Sequence, residues 1–267
     1  MKLIDTHCHL NFNNFTEDLS EVINRSVESG VKGILVPGID FFTSQQAISL
    51  AEAYPIIFAA VGFHPNNLDE WENCLVGKLI ALASHPKVVA IGEIGLDYYR
   101  DKSPSEVQKK AFIEQLRIAQ EIEKPVIIHN RNAEDDILKT LQSWQRTIPP
   151  KNRLQSKPGV FHSFDGTLEM ANQAIEMNFF LGLNGPVTFK NAKEKRMIVK
   201  QIPLNSILLE TDAPFLTPHP YRGRRNEPMY LRLIAQTIAD CHEISMDEVV
   251  QRTTQNAENL FFRESND

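Results

Sequence analysis

The chain has 267 residues, of which 42% are hydrophobic and 23% charged, and a formal net charge of -6 at pH 7. This length suits one large α/β core better than two small domains, so we expect a single domain over residues 1–267. The negative charge argues against broad electrostatic capture of nucleic acid, although bound metal ions can supply the positive charge that a local phosphate site needs. Three scattered cysteines, with no secretory signal and no membrane-spanning run, predict a soluble protein of the reducing cytoplasm.

Short apolar runs alternate with amphipathic segments along the first half of the chain. The apolar runs predict strands at 3–4, 33–36, 56–61, 88–91 and 125–128. The amphipathic segments predict helices over 18–29, 44–53, 69–84, 104–123 and 134–145. Ser103, Pro104 and Glu106 predict a capping box with proline at the first helical position of the fourth helix.

The second half repeats this plan after a polar loop over 147–158. Strands are predicted at 159–161, 179–181 and 207–209, and helices over 168–177, 228–239 and from the Ser245 cap to about 262. Eight alternating units of this kind specify a parallel sheet and close most naturally into a (β/α)8 TIM barrel, an α/β fold. No glycine-rich phosphate motif opens a helix, so we expect no nucleotide cofactor.

Ionisable side chains recur where the predicted strands end. Reactive groups of a (β/α)8 barrel gather at the carboxyl ends of its strands, so these side chains should converge. His7 and His9 are two positions apart and point to the same side of their strand, whereas Cys8 points to the other face. Asp5 lies one step deeper, where a supporting hydrogen bond or a buried structural role is expected rather than direct ligation. The candidate metal ligands are His7, His9, Glu93, His129, His162 and Asp212.

Glu93 carries the strongest single argument for a metal. It follows a buried apolar run, and a buried carboxylate needs an opposite charge, most simply a metal ion. Taken singly, each candidate also has an ordinary explanation; Asp212, for example, could cap the following helix. Their recurrence at several strand ends favours a metal site. Imidazole and carboxylate ligands without thiolate suit Zn, Mn, Ni, Fe or Mg.

Seven short motifs occur in order along nearly the whole chain. They are Asp5-Thr-His-Cys-His9, Gly62-Phe-His-Pro65, Gly92-Glu-Ile-Gly-Leu-Asp-Tyr98, Ile128-His129 with Arg131, Phe161-His-Ser-Phe164, Glu210-Thr-Asp-Ala-Pro214 and Arg225-Asn-Glu-Pro228. As a set they resemble the TatD family of metal-dependent hydrolases, in the branch that retains the N-terminal His-x-His. The resemblance implies an amidohydrolase-like barrel, two divalent ions per subunit and deoxyribonuclease activity.

The resemblance also implies a role for each ligand. His7, His9 and Asp212 would hold one ion, His129 and His162 the other, and Glu93 would bridge them. Two such ions can share a water, lower its pKa and stabilise the oxygens of a phosphodiester during its hydrolysis. Asp212 is then the expected general base, and Glu93 the second catalytic residue. The expected substrate is DNA, as a single strand or at its ends, attacked exonucleolytically.

Five further residues are candidates for substrate binding. His64 is expected to face a phosphate or, alternatively, to fix the loop at Pro65. Arg131 could clamp a phosphate through two hydrogen bonds. Arg225 and Asn226 could contact the nucleotide, and Tyr98 could stack on a base. Glu210 either orients Asp212 or caps a strand end.

Two alternatives stay open on the sequence. The same bridging water could attack a carbon centre, such as a lactone, amide or aminoacyl ester. A site closed by protein ligands would instead make the chain a metal-stabilised binding module. The basic residues at 190–200 and at Arg222, Arg224 and Arg225 would serve a phosphate or lie as solvated surface. No pattern in the predicted surface helices marks an interface between subunits.

Overall fold

The fold is built on parallel strands that follow one another in chain order. A computed structural model describes residues 2–69, 71, 73–100 and 102–262. The strands are β1 (Leu3–Asp5), β2 (Val31–Pro37), β3 (Ile57–Val61), β4 (Val88–Asp97), β5 (Val126–Arg131), β6 (Gly159–Phe161), β7 (Phe180–Leu183) and β8 (Ile207–Leu209). They form one eight-stranded sheet in the order β1 to β8. The predicted alternation of strands and helices is therefore confirmed.

Helices follow the strands in the expected places. They are α1 (Leu19–Glu28), α2 (Phe41–Ala53), α3 (Asn73–Ala83), α4 (Ser105–Glu121), α5 (Glu134–Gln145), α6 (Leu168–Glu176), α7 (Lys193–Val199), α8 (Leu231–His242) and α9 (Met246–Phe261). Helix α7 was not predicted, because it buries one residue, Val199, and so has no apolar stripe to detect. Residues 70 and 72 of the predicted third helix lie outside the described residues. None of the helices within the described ranges is long and apolar enough to cross a membrane.

Strand β4 is longer than predicted. It runs past the expected break at Gly92 and pairs with β5 as far as Asp97 opposite Arg131. Gly95 permits the close approach, because a Cβ there would lie 2.0 Å from the backbone oxygen of His129. The expectation that Glu93 ends its strand was therefore wrong. It lies inside β4, with Asp97 four residues further on.

The helix caps predicted at Ser103 and Ser245 differ in outcome. Helix α4 has Pro104 as its N-cap, without a side-chain bond, so the Ser103 capping box was wrong. The carbonyl oxygen of Ser103 instead accepts a hydrogen bond from Nε2 of Gln108, 2.8 Å away. Ser245 does cap α9, because its hydroxyl accepts the N–H of Glu248 at 3.2 Å.

The described residues cluster into two compact units. The first comprises the described residues of Met1–Val36, Ser163–Asn172 and Leu181–Asp267, and the second those of Pro37–His162 and Gln173–Phe180. In the first unit, the end of β1 meets the end of β8, where the N–H of Thr6 donates to the oxygen of Leu209 at 3.0 Å. The second unit holds β3 to β6, whose buried residues are mostly apolar, with Glu93 and Asp97 as buried carboxylates in β4. The expectation of a single domain stays a prediction.

Candidate metal centre

Three predicted ligands meet in the first unit. Nε2 of His7 lies 3.1 Å from Nε2 of His9, and these atoms lie 3.9 and 3.6 Å from Oδ1 of Asp212. The imidazole of His7 is fully buried, while the Asp212 carboxylate keeps 12% of its surface exposed. Together the three residues form a group able to hold a metal ion. We call them the His7 group.

The backbone around this group is held by Asp5. Its carboxylate accepts the N–H and the hydroxyl of Thr211, at 2.9 and 2.6 Å, so it fixes the residue before Asp212. The N–H of Asp212 in turn donates to the oxygen of His7 at 2.8 Å. Burial raises the pKa of Asp5 to about 7, against the lowering effect of its hydrogen bonds. The predicted supporting role of Asp5 is confirmed.

Asp212 is presented from an unusual backbone conformation. Its φ is +56°, in the left-handed region that costs a non-glycine residue about 1–3 kcal/mol. Such strain persists where the surroundings enforce it, as at functional sites. Cys8, between the two histidines, is fully buried, and burial raises the pKa of its thiol well above the ordinary value. A buried thiol of this kind is a poor thiolate ligand.

The second unit contains another group of predicted ligands, centred on Glu93. Oε1 of Glu93 lies 2.7 Å from Nδ1 of His129, 3.6 Å from Nε2 of His64 and 3.9 Å from Nε2 of His162. Glu93 is 4% exposed. His64, Glu93 and His129 also form a group able to hold a metal ion. We call these three residues the Glu93 group.

Sequence reasoning missed Asp97, which supports this group. Its Oδ2 lies 3.4 Å from Nε2 of His129 and accepts a hydrogen bond from Nδ2 of Asn66 at 2.7 Å. Burial by itself would raise the pKa of Asp97, but contacts with His129, the Arg100 N–H and Asn66 outweigh it and hold the pKa below its usual value. A carboxylate behind a ligating histidine fixes its ring orientation. The even spacing from Glu93 along one strand was the signal that could have found it.

A hydrogen bond to His64 determines which of its ring nitrogens carries the proton. The N–H of Asn66 donates to Nδ1 of His64 at 3.0 Å, so a neutral His64 carries its proton on Nε2. This Nε2 lies 3.6 Å from Oε1 of Glu93, and the His64 and His129 ring centroids are 4.3 Å apart. The side chain therefore fixes the loop after Gly62 and also offers a donor at the site. A ring that accepts at Nδ1 is a weak candidate for ligation through Nε2.

Three candidate substrate residues have other partners in the structure. Arg225 donates twice to Asp18 at 2.7 Å, once to Glu227 at 2.9 Å and once to the oxygen of Asn14 at 2.6 Å. Asn226 is fully buried. The substrate-binding roles of both residues stay predictions. In the structure, Arg225 pairs with Asp18, and Asn226 donates to the backbone oxygen of Thr211.

The third of these residues is Tyr98. Its hydroxyl donates to Asp136 at 2.8 Å, and burial together with that carboxylate raises the pKa of Tyr98 to about 12. The next residue, Tyr99, is 63% exposed, and the Arg131 guanidinium stacks 4.1 Å from its ring centre. Because the two tyrosines are adjacent, the sequence did not indicate which of them is exposed.

Glu210 holds the turn that follows His162. Its Oε1 accepts the N–H of Ser163 at 2.6 Å, and Nδ2 of Asn184 lies 3.4 Å from the same oxygen. Ser163 has a φ of +48°, so this bond stabilises a strained residue directly after a predicted ligand. This contact favours positioning of the His162 turn as the role of Glu210.

The donor atoms of the His7 group fit a divalent metal. Bonds of about 2.0–2.1 Å to a tetrahedral ion place neighbouring ligand atoms roughly 3.4 Å apart. The separations in the His7 group, 3.1 to 3.9 Å, lie around that value. Imidazole nitrogens and carboxylate oxygens suit Zn, Mn, Ni or Fe, and Mg to a lesser degree.

The fold has close counterparts among solved structures. The crystal structure of YjjV, a TatD homologue from Escherichia coli, matches with a TM-score of 0.90 and 31% identity over 98% of each chain. A TatD-family hydrolase from Entamoeba histolytica matches with a TM-score of 0.86 and 25% identity, over 97% of this chain and 98% of the other. The fold and the histidine and carboxylate groups thus define a (β/α)8-barrel hydrolase of the metal-dependent class.

Sequence comparison narrows this class to one family. The family model described as TatD related DNase matches residues 4–262. The uncharacterized metal-dependent hydrolase YabD of Bacillus subtilis is 44% identical, over 97% of this chain and 98% of that protein. The protein of Citrobacter rodentium named 3'-5' ssDNA/RNA exonuclease TatD is 37% identical over 97% of each chain. The chain belongs to the TatD family.

Proposed function

We propose that this TatD-family hydrolase is a deoxyribonuclease that removes nucleotides from the ends of single-stranded DNA. The observation that carries the proposal is that His7 and His9 lie beside Asp212, and that His129 and His162 lie beside Glu93. Relatives named as ssDNA/RNA exonucleases add support, and they make single-stranded RNA a further substrate to test. The buried free thiol of Cys8 is consistent with the cytoplasmic location we propose.

The proposed site holds two divalent ions. His7, His9 and Asp212 would bind one, His129 and His162 the other, with Glu93 bridging them. His7, His9 and Asp212 follow strands β1 and β8, whereas Glu93 and His129 lie within strands β4 and β5. When bound, the ions supply positive charge to the phosphate oxygens and lower the pKa of the attacking water.

The protein side chains then have defined tasks. Asp212, whose carboxylate keeps some exposure, accepts the proton of the attacking water as general base. The Nε2–H of His64 donates to a non-bridging phosphate oxygen, since its Nδ1 is occupied by the Asn66 N–H. Asp97 keeps the His129 ring oriented. Arg131 contributes a guanidinium to a neighbouring phosphate.

The test is turnover of single-stranded DNA labelled separately at each end. Metal-free protein is compared with protein supplied with Mg, Mn, Ni or Zn, and an RNA strand of the same sequence is run in parallel. Asp212→Asn and Glu93→Gln should each lower cleavage by about 100- to 1000-fold, the size of effect found when a group that stabilises the transition state is removed. Asp165→Asn is the matched control, because the Asp165 carboxylate is 84% exposed and pairs with Lys195.

The outcomes separate the candidate reactions. Stepwise shortening that requires metal and fails in Asp212→Asn supports the nuclease, and the two labels give its direction. Full cleavage by either site variant would overturn the proposal. Metal-loaded protein that cleaves neither DNA nor RNA would also overturn it, and a panel of lactones, amides and aminoacyl esters would then be assayed.

A further inference from the structure

The segment between β8 and α8 carries exposed aromatic rings next to the His7 group. We refer to residues 213–227 as the β8–α8 loop. Within it, Phe215 is 50% exposed, and its ring centre lies 6.3 Å from that of His9. The same ring contacts Phe12 edge to face at 6.2 Å, and Phe12 stacks on His9 at 4.4 Å. A large apolar ring is thus left in water beside three candidate metal ligands.

Further along this loop lie one exposed aromatic side chain, Tyr221, and two exposed arginines, Arg222 and Arg224. Tyr221 is 36% exposed and stacks on Tyr230 with ring centres 4.8 Å apart. The exposed guanidinium of Arg224 lies 5.8 Å from the Tyr221 ring centre, and that of Arg222 lies 4.1 Å from the ring of Phe189. Among the described residues, no carboxylate is paired with Arg222 or Arg224. Their charge is therefore available to an anion.

Hydrogen bonds within the protein fix the backbone of the β8–α8 loop, whereas several of its side chains are exposed. The backbone oxygen of Phe215 accepts Nδ2 of Asn226 at 2.6 Å, and the hydroxyl of Thr217 donates to the oxygen of Arg224 at 2.5 Å. Arg225 is tied to Asp18 by two hydrogen bonds. The exposed rings therefore stand on a backbone that does not have to be ordered when a ligand binds, which lowers the entropic cost of binding.

We propose that the β8–α8 loop is the platform for a single strand of DNA, with Phe215 stacking on the base next to the scissile phosphate and Arg222 and Arg224 contacting backbone phosphates. An exposed aromatic ring and exposed guanidinium groups on one loop match the stacked bases and the phosphates of a single strand. A duplex hides its base faces inside the stack, so Phe215 selects single strands. The proposal rests on the nuclease function proposed above.

This assignment differs from the expectation drawn from the sequence. The motif Arg225-Asn226 was expected to contact the nucleotide, but the structure engages both side chains within the protein. The neighbouring residues Arg222 and Arg224 hold the available positive charge. Phe215, which follows the Asp212-Ala-Pro turn, had no predicted role.

The test measures binding separately from cleavage. Fluorescence anisotropy of a labelled short oligothymidylate is recorded with protein carrying Asp212→Asn, which prevents degradation, and the metal content of every variant is measured in that background. Adding Phe215→Ala should weaken binding of the single strand by about tenfold, the loss expected for one stacked base, while Phe215→Trp retains it. Binding of a duplex of the same length should change little. Arg224→Ala should lower the slope of log Kd against log salt by about 0.7, the value for one phosphate contact on a single strand.

Matched controls use side chains of the same type elsewhere on the surface. Met197→Ala removes an apolar side chain that is 66% exposed, and Arg252→Ala removes an exposed guanidinium from α9. Both should leave binding unchanged. Metal content and the melting temperature of Phe215→Ala are measured as well, because a displaced His9 would lower the metal content.

Each outcome bears on one of the two proposals. If the enzyme cleaves DNA and Phe215→Ala binds and cleaves like the parent, the platform is overturned and the nuclease stands. If Phe215→Ala weakens DNA binding but the parent cleaves no nucleic acid, the platform stands and the nuclease fails. Metal-loaded protein that does not bind single-stranded DNA overturns the platform directly. Loss of metal from Phe215→Ala, with Phe215→Trp also unable to bind DNA, overturns it too.

Discussion

Replacing Asn226 by alanine should destabilise the protein and disturb the Asp212 turn. Nδ2 of Asn226 donates to the oxygens of Thr211 at 2.8 Å and Phe215 at 2.6 Å, and Oδ1 accepts the N–H of Glu227 at 2.9 Å. The side chain is fully buried, so water cannot replace these bonds. It therefore holds both flanks of the strained residue Asp212.

The magnitude follows from the three lost hydrogen bonds. At about 1 kcal/mol for each net bond, Asn226→Ala should lower the free energy of unfolding by about 3 kcal/mol. For a chain of this size, that corresponds to a fall in melting temperature of roughly 6–12 °C. Metal content should fall as well, because the carboxylate of Asp212 is no longer fixed toward His7 and His9.

Thermal unfolding followed by circular dichroism is the assay, with metal content measured on the same samples. Asn172→Ala is the control, because Asn172 lies exposed on α6 and should leave the melting temperature unchanged. The expectation from sequence, in which Asn226 contacts the nucleotide, predicts a raised KM at an unchanged melting temperature. A melting temperature within about 2 °C of the parent would refute the structural role of Asn226.

Three further predictions concern the metal groups and the ion pairs. Asp97→Asn should raise the metal dissociation constant about 10–100-fold, since Asp97 orients His129; calorimetric metal titration checks this, and an unaltered constant would exclude the role. Hydrogen bonds from Arg225 lower the pKa of Asp18 to about 2, so this carboxylate contributes its full stabilisation above its ordinary pKa of 3.8 and loses it as the pH falls toward 2. In Arg225→Ala, an NMR titration should find the Asp18 pKa shifted back toward 3.8; a pKa that stays near 2 would contradict the pairing. Chelation should lower the melting temperature, because metal at a hundred times its Kd adds about 2.7 kcal/mol of stability, and an unchanged scan would count against a metal held in the folded state.

The sequence by itself determined the plan of the fold and the chemical types at the site. Apolar runs of strand length alternate with helical periodicity, and this pattern is local, so it can be read without coordinates. Helix α5 and strands β6 and β8 begin and end where they were predicted. The His-x-His spacing predicted that His7 and His9 share one side, and their imidazoles do meet, although both residues follow β1 instead of lying within it.

Only the tertiary structure decided which polar side chains have hydrogen-bond or ion-pair partners within the protein. Arg222, Arg224 and Arg225 look alike in sequence, yet Arg225 pairs with Asp18, 207 positions away. Tyr98 and Tyr99 are adjacent, but the hydroxyl of Tyr98 is bound to Asp136. Periodicity carries no information about partners so distant in the chain.

The same holds for the support behind the ligands. Asp5 reaches Thr211 across 206 positions, and Asn226 closes on the turn at Asp212 only because the loop folds back on itself. A buried polar group must find a partner wherever the fold brings one. Local sequence therefore sets which residues can bind a metal or a phosphate, and the competition for hydrogen bonds in the folded chain sets which of them remain available to do so.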